Sequence, residues 1–275
     1  MSDTSTRSGM LWEVERILTE CKELGTMPQI LLMENVPQVH GADNVDDFNK
    51  WQLRLEELGY KNYFQDLIAT DYGIPQTRNR CFMISILGDY SYTFPKPISL
   101  KLKLKDMLED NVDEKYYLSD KQIKDIQSWN AYEKPLENME KVDKSNISPT
   151  LTTRSGAYAA GMILVKNNTK KGYLEATEGD GIDLAQPNSK TRRGRVQKNS
   201  IQTLTTQNNL GVVSDLRIRK LTPKECFRLM GVKDEDFEKC AKNQSDSSLY
   251  HLAGDSIVVN VLMAIFNELL ESKGE

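Results

Sequence analysis

Glu34 and Asn35 close a run of four apolar residues, Ile30-Leu31-Leu32-Met33, and a polar cluster, Gln76-Thr77-Arg78-Asn79-Arg80, precedes a second apolar run from Cys81 to Leu87. Short apolar runs of this kind read as buried strands. An acid at the carboxyl end of a strand in an open α/β sheet lies where such sheets bind ligands. Taken alone, Glu34 reads also as a loop acid or a helix cap. If the second strand begins near Gln76, the alternation of strand side chains puts Gln76, Arg78 and Arg80 on one side. That face offers an amide and two permanent cations, and a guanidinium fork suits a carbonyl oxygen or a phosphate. A solvated strand edge is the other reading. Acid and guanidinium groups at neighbouring strand ends can converge on one small polar ring.

Periodicity gives the helices and strands around these residues. Leu11, Val14, Ile17, Leu18 and Cys21 share one helix face, and Phe48, Trp51, Leu55 and Leu58 mark a second helix that stops at Gly59. Strands are expected over 60–69 and 81–87. Helix, strand, helix, strand, strand is part of an α/β sheet. The pattern breaks at Phe94-Pro95-Lys96-Pro97, short helices are expected at 104–108 and 120–129, and from about Ser145 the chain becomes rich in Thr, Ser, Asn and Gly. Two similar segments lie there, Pro149-Thr150-Leu151-Thr152-Thr153 and Gln202-Thr203-Leu204-Thr205-Thr206, each followed by glycine and an apolar strand, 162–165 and 210–213. Leu221-Thr222-Pro223-Lys224-Glu225 has the cap, first-position proline and third-position acid of a helix start. A final helix is expected over 257–270, with Gly254 at its entrance allowing a close backbone approach.

Composition excludes some classes. The 275 residues carry 36 basic and 40 acidic side chains, a net charge of -4, so nucleic-acid binding depends on local clustering. Between Lys144 and Lys198 there are ten basic and four acidic residues, including Arg192-Arg193-Gly194-Arg195. That patch is of the kind phosphate contact requires, although charge runs are also found in solvated loops. No apolar run approaches the ~18 residues of a membrane span, and the first residues lack a signal pattern. A soluble, cytoplasmic protein is expected. Cys21, Cys81, Cys226 and Cys240 form no Cys-x-x-Cys pair, and only His40 and His251 accompany them, so reduced thiols and no metal are expected.

Four blocks together resemble the C-terminal motifs of the DNA cytosine-5 methyltransferases, in the same order. They are Glu34-Asn35-Val36; Gln76-x-Arg78-x-Arg80; Arg219-x-Leu221-Thr222-x-x-Glu225-Cys226-x-Arg228-Leu229-Met230-Gly231; and Gly254-x-Ser256-Ile257-Val258. The resemblance runs from Arg7 onward, with 94–215 its most variable part. It implies a partial Rossmann-like methyltransferase sheet, 1–95 with 246–275, and a small strand-rich target-recognition domain, 96–245. Its implied reaction flips a cytosine out of double-stranded DNA, adds a thiolate to carbon 6, and transfers a methyl group from S-adenosylmethionine to carbon 5. By resemblance, Glu34 acts on ring nitrogen N3 with Asn35 shaping the loop. Arg80, with Arg78 beside it, binds the carbonyl oxygen. Gly254, Asp255 and Ser256 line the methyl-donor pocket, where the family usually has asparagine in place of Asp255. Arg192, Arg193 and Arg195 of the basic patch, and by resemblance Thr203 and Thr205, are expected to contact DNA.

The family's nucleophile is a cysteine between proline and glutamine, and none of the four cysteines has those neighbours. Its Phe-x-Gly-x-Gly donor loop is likewise missing, and Gly179-Asp180-Gly181 has no strand and helix around it to replace that loop. Arg7-Ser8-Gly9 resembles the segment directly after the family's catalytic loop. The expectation is a chain that begins past its nucleophile and lacks about four strands. The strand at Ile30 is then an open edge, and the chain is marginally stable alone. Three states stay open: one part of a split enzyme completed by an N-terminal methyltransferase polypeptide, an inactive truncated product, or a DNA-binding recognition subunit.

Overall fold

The computed structural model describes residues 9–126, 163–215 and 217–271. They fall into two compact units, the first built from residues up to Asp71, from Asn79–Ile98 and from Val261 onward, the second from Tyr72–Arg78 and Ser99–Asn260.

In the first unit, helix α1 (Gly9–Glu23) precedes strand β1 (Ile30–Asn35), and helix α2 (Val45–Glu57) precedes strands β2 (Tyr60–Ile68) and β3 (Asn79–Leu87). The sheet order is β1-β3-β2. Both outer strands run antiparallel to β3, with Met33 opposite Met83 and Phe64 opposite Met83 on the other side. A central strand covered on both faces needs apolar residues on both, and Cys81 through Ile86 are all buried. The helix periodicity gives the core: Leu18 of α1 and Phe48, Trp51 and Leu55 of α2 pack with Leu58, Tyr60 and Met83. Gly59 turns α2 into β2 at φ +102°, a conformation that favours glycine.

In the second unit, β4 (Ile163–Lys166) pairs with β5 (Tyr173–Ala176), and β6 (Gly181–Asp183), β7 (Val196–Gln197), β8 (Leu210–Ser214) and β9 (Arg217–Lys220) form a sheet of order β7-β6-β8-β9. Every pairing among these named strands is antiparallel. The strand-rich expectation holds there, and Ile163, Val165, Ile182, Val213 and Ile218 pack with Leu118 and with Ile126 of the short helix α3 (Asp120–Ile126). Pro149–Thr153, Arg154 and the end of the helix expected over 120–129 lie outside the described residues.

Helix α4 (Pro223–Arg228) starts as its sequence indicates, with Thr222 accepting from the Glu225 amide and the Glu225 side chain returning to the Thr222 amide. Glu225 has a second task. It is fully buried and takes two bonds, 2.8 and 2.7 Å, from the buried Arg219 guanidinium. The chain continues through α5 (Asp234–Ala241), α6 (Asp246–Asp255) and α7 (Val259–Glu271).

Two boundaries differ from the expected ones. Tyr250 of α6 donates to the Leu221 carbonyl at 2.7 Å, which joins α6 to α4 in the second unit. Residues 72–78 belong to that unit as well. As one stretch, Asp246–Glu271 is long and apolar enough to cross a membrane, unlike any single apolar run read from the sequence. The chain breaks inside it, with Ser256 extended at φ -69° and ψ 160°.

Candidate active site

Glu34 stands at the end of β1 and Arg80 at the start of β3. Glu34 lies opposite Phe82 in the ladder, so Arg80 is its diagonal neighbour on the same face, within reach of long side chains. The Arg80 Nε lies 3.0 Å from Glu34 Oε1, and the two side chains are 19 % and 20 % exposed. A second Arg80 nitrogen donates to the Asn79 carbonyl at 2.8 Å, which holds the guanidinium in place. Asn35 uses its side-chain oxygen to accept the Val36 amide at 2.8 Å, so it shapes the turn that leaves β1. The result is an acceptor and a planar donor, fixed by sheet register and both partly open to solvent.

Gln76 and Arg78 are placed differently from the reading that put them with Arg80 on one strand face. β3 begins only at Asn79, because the preceding segment pairs elsewhere: Gln76 bridges to Ile201, Thr77 N donates to the Ile201 carbonyl at 2.9 Å, and Ile201 N donates to the Pro75 carbonyl at 3.0 Å. Both side chains are buried in the second unit. Gln76 donates to the Leu229 carbonyl at 2.7 Å and accepts the Leu204 amide at 3.1 Å. Arg78 donates to the carbonyls of Leu204 (3.3 Å), Gly254 (3.1 Å) and Ser256 (2.8 Å). It therefore ties together two segments about fifty residues apart in sequence, the Thr-Leu-Thr-Thr loop and the break between α6 and α7.

Gly254 completes this junction. A Cβ there would lie 2.5 Å from Thr205 C and Thr206 N, so the close approach expected at this glycine is made by the chain's own loop. With the Gly254 and Ser256 carbonyls accepting from Arg78, the side chains left are Ser256, bonded to the Leu252 carbonyl, and the exposed Asp255, 2.9 Å from His251 Nδ1. These three residues alone do not make a pocket for a methyl donor.

Of the arginine cluster, Arg195 is 1 % exposed. Its guanidinium donates to the carbonyls of Asp183, Ala185 and Gln186, which makes it an internal strut and removes it from phosphate contact. Arg192 pairs with the buried Asp183 at 2.5 Å, and Arg193 is exposed, with its Nε on the Asn168 carbonyl. Lys171 pairs with Glu175 and Lys198 with Asp180, so these cations, like Arg192, are engaged by acids of the same segment. Thr203 is half-buried and Thr205 is exposed. Their hydroxyls face the Thr77 carbonyl at 3.5 Å and the Gln207 carbonyl at 3.1 Å.

None of the four cysteines has the surroundings of a thiolate nucleophile. Cys81 is fully buried and its thiol is pushed up to about 12, first by burial and then by Asp66. Cys226 is buried, and the loss of hydration raises its thiol as well. Cys21 is half-buried on α1 and Cys240 lies exposed on α5; neither is near a helix N-terminus or next to a proline.

Glu34 and Arg80 thus meet at adjacent strand ends of the first unit's sheet, and the second unit is strand-rich. The family model for C-5 cytosine-specific DNA methylase matches residues 2–271, and the chain belongs to that family. It is 36 % identical to the type II methyltransferase M2.ScrFI of Lactococcus lactis subsp. cremoris over 99 % of this chain and 61 % of that protein. The orphan methyltransferase M.SssI of Spiroplasma monobiae is 28 % identical over 97 % and 59 %. The chain thus spans about three fifths of the length of these relatives. The crystal structure of the S. pombe Dnmt2 methyltransferase matches all of this chain and 75 % of its own at a TM-score of 0.56 and 17 % identity, a likeness of fold.

Proposed function

We propose that this chain provides the base-stabilising half of a DNA cytosine-5 methyltransferase site, with Glu34 and Arg80 as its catalytic residues and double-stranded DNA as substrate. The observation that carries this reading is the convergence of Glu34 and Arg80 at 3.0 Å. Nucleophilic addition at carbon 6 of cytosine pushes electron density onto N3 and the carbonyl oxygen. A carboxyl group at N3 and a guanidinium at the oxygen answer those two charges, and preorganised donors of this kind are worth about 2.7–4 kcal/mol each. Asn35 supports the turn, and Arg78 supports the recognition loop. S-adenosylmethionine supplies the methyl group in this reading. Since no cysteine here is placed as a nucleophile, the thiolate comes from further sequence, either joined to this segment or on a separate N-terminal polypeptide.

The test is transfer of a labelled methyl group from S-adenosylmethionine to duplex DNA. One arm uses the chain alone; the other adds a polypeptide carrying the Phe-x-Gly-x-Gly and Pro-Cys-Gln elements. Activity is expected only in the mixture, and there Glu34→Gln and Arg80→Gln each lower it by roughly 10²–10³-fold. Transfer by the chain alone would sink the missing-thiolate reading.

A recognition subunit is the second reading, favoured by two exposed cations three residues apart in sequence, Lys190 and Arg193. Salt-dependent duplex binding by the chain alone, weakened by Arg193→Gln with Lys190→Gln, is its expected signature. Binding unchanged by that pair removes those residues from the interface.

A further inference from the structure

His40, Asp66 and Cys81 are 26 and 15 residues apart in sequence, a spacing that belongs to no metal motif. The fold of the first unit brings them together. Asp66 on β2 and Cys81 on β3 are directly opposed in the ladder, so their side chains leave the same face of the sheet. His40 arrives from the turn of 3₁₀ helix at 37–40 that comes after β1. Its Nε2 is 2.9 Å from Asp66 Oδ1, and the imidazole nitrogen, carboxylate oxygen and sulfur all lie within 4.8 Å of one another.

Several features make this more than a chance pairing of polar groups. The Cys81 sulfur is buried, while His40 and Asp66 keep about a third of their side chains exposed, which leaves a way in. The His40 ring is walled by Phe48 and Phe64, with centroids 6.2 and 5.6 Å away, so its orientation is set before any ligand arrives. The positions of Asp66 and Cys81 are set by strand register. A histidine–aspartate pair is a common surface contact by itself; a buried sulfur facing that pair is the feature it does not account for.

We propose that His40, Asp66 and Cys81 form a binding site for a borderline divalent cation of the Zn²⁺ type. One nitrogen, one oxygen and one sulfur donor suit Zn²⁺ or Co²⁺ and are wrong for Mg²⁺ or Ca²⁺, which take oxygen ligands. Three protein ligands leave a fourth tetrahedral position for water. Binding replaces the Cys81 S–H bond with a sulfur–metal bond and releases one proton to solvent, with no change of oxidation state. The site reaches three elements. Asn35 is opposite Cys81 in the β1–β3 ladder, Arg80 precedes Cys81, and His40 lies just past the turn from Glu34 and Asn35. A cation there clamps the strand ends that carry Glu34 and Arg80, acting on their spacing from the other face of the sheet. This departs from the expectation of no metal, which rested on sequence spacing alone.

The experiment uses the full chain, treated with chelator and titrated with Co²⁺ as the spectroscopic probe. A near-ultraviolet sulfur-to-cobalt band with tetrahedral visible bands is expected, saturating at one equivalent and displaced by Zn²⁺. Cys81→Ser removes the charge-transfer band, and His40→Gln and Asp66→Asn weaken Co²⁺ binding by more than about tenfold. The double variant Cys21→Ser with Cys240→Ser keeps the band, which assigns the sulfur without disturbing the buried residue. Absence of a sulfur band in the unmodified chain, its survival in Cys81→Ser, or its loss in the double variant each overturns the proposal. None of these readouts depends on methyl transfer, so they fail or succeed independently of the activity assay.

Discussion

At the scale of single residues, the arginines divide by what accepts their hydrogen bonds. Arg80 meets a carboxylate near the surface, whereas Arg78 and Arg195 are buried against backbone carbonyls. A buried guanidinium can be replaced only at the cost of the groups it serves. Arg78→Ala leaves three carbonyls without its donors, and charge-assisted bonds contribute ~1.5–3 kcal/mol apiece. The second unit is expected to lose about 3–5 kcal/mol in urea unfolding. Arg78→Lys is expected to recover only part of that loss, because one ammonium does not reproduce a planar fork. If Arg78→Ala unfolds at the same urea concentration as the parent, the junction role is wrong. Gly254→Ala probes the same place sterically: a methyl group 2.5 Å from the Thr205 backbone forces the loop to move, at a cost of about 1–3 kcal/mol. The residues read from the sequence as one cationic face thus split, because strand alternation holds only from Asn79, three residues after Gln76. The contacts that hold Gln76 and Arg78 come from residues more than 120 positions away, which no local pattern can show.

At the scale of elements, the sequence is legible wherever local rules control the structure. The periodic helices, the strand ends at Glu34 and Arg80 and the capping box at Thr222 all depend on neighbours within a few residues. Helices α5 and α6 do carry local start signals, an acidic first turn in α5 and a Ser245 cap that accepts the Ser248 amide in α6, but neither has a long apolar periodicity. Each is short and mostly polar, and each is held by partners elsewhere: Tyr250 of α6 by the Leu221 carbonyl, and Asp234 at the start of α5 by Arg228. The Arg228 hydrogen bonds hold the Asp234 carboxyl down from its ordinary 3.8 to about 2. A carboxylate depressed on folding stabilises the protein above its unfolded value, and that contribution disappears as pH falls through the folded value. The stability difference between the parent and Asp234→Asn is therefore expected to be full above pH ~4 and to vanish toward pH ~2. Urea midpoints measured across that range decide it, and a difference that does not change with pH contradicts the assignment. Thr222→Ala tests the start of α4, where loss of the cap is expected to cost about 1–2 kcal/mol.

At the scale of the whole molecule, the chain passes between its two units four times, after Asp71, Arg78, Ile98 and Asn260. Only the third of these passages, at the proline-rich Phe94-Pro95-Lys96-Pro97, has a composition that announces a boundary. The others fall inside or beside regular elements, which is why composition points to contiguous domain limits. Exposed apolar surface is concentrated in the first unit. Helix α7 buries Val261, Ile265 and Leu269 on one side and exposes Met263, Phe266 and Leu270 on another, while α1 exposes Val14 and Ile17 one turn apart. Strand β1, at one edge of its sheet, exposes Leu32 and has β3 as its only strand partner among the described residues. An unprotected strand edge and an apolar helix face both favour association with another polypeptide. The purified chain is accordingly expected to self-associate as concentration rises, or to bind a hydrophobic dye. Leu32→Lys combined with Phe266→Lys should reduce both, since a charge on an edge strand and on an exposed helix face opposes pairing without entering the core. Sedimentation over a wide concentration range separates the outcomes. A strictly monomeric parent that unfolds in one cooperative step would mean that these surfaces need no cover. A parent that associates, and is relieved by the two lysines, places the missing contacts on β1 and α7.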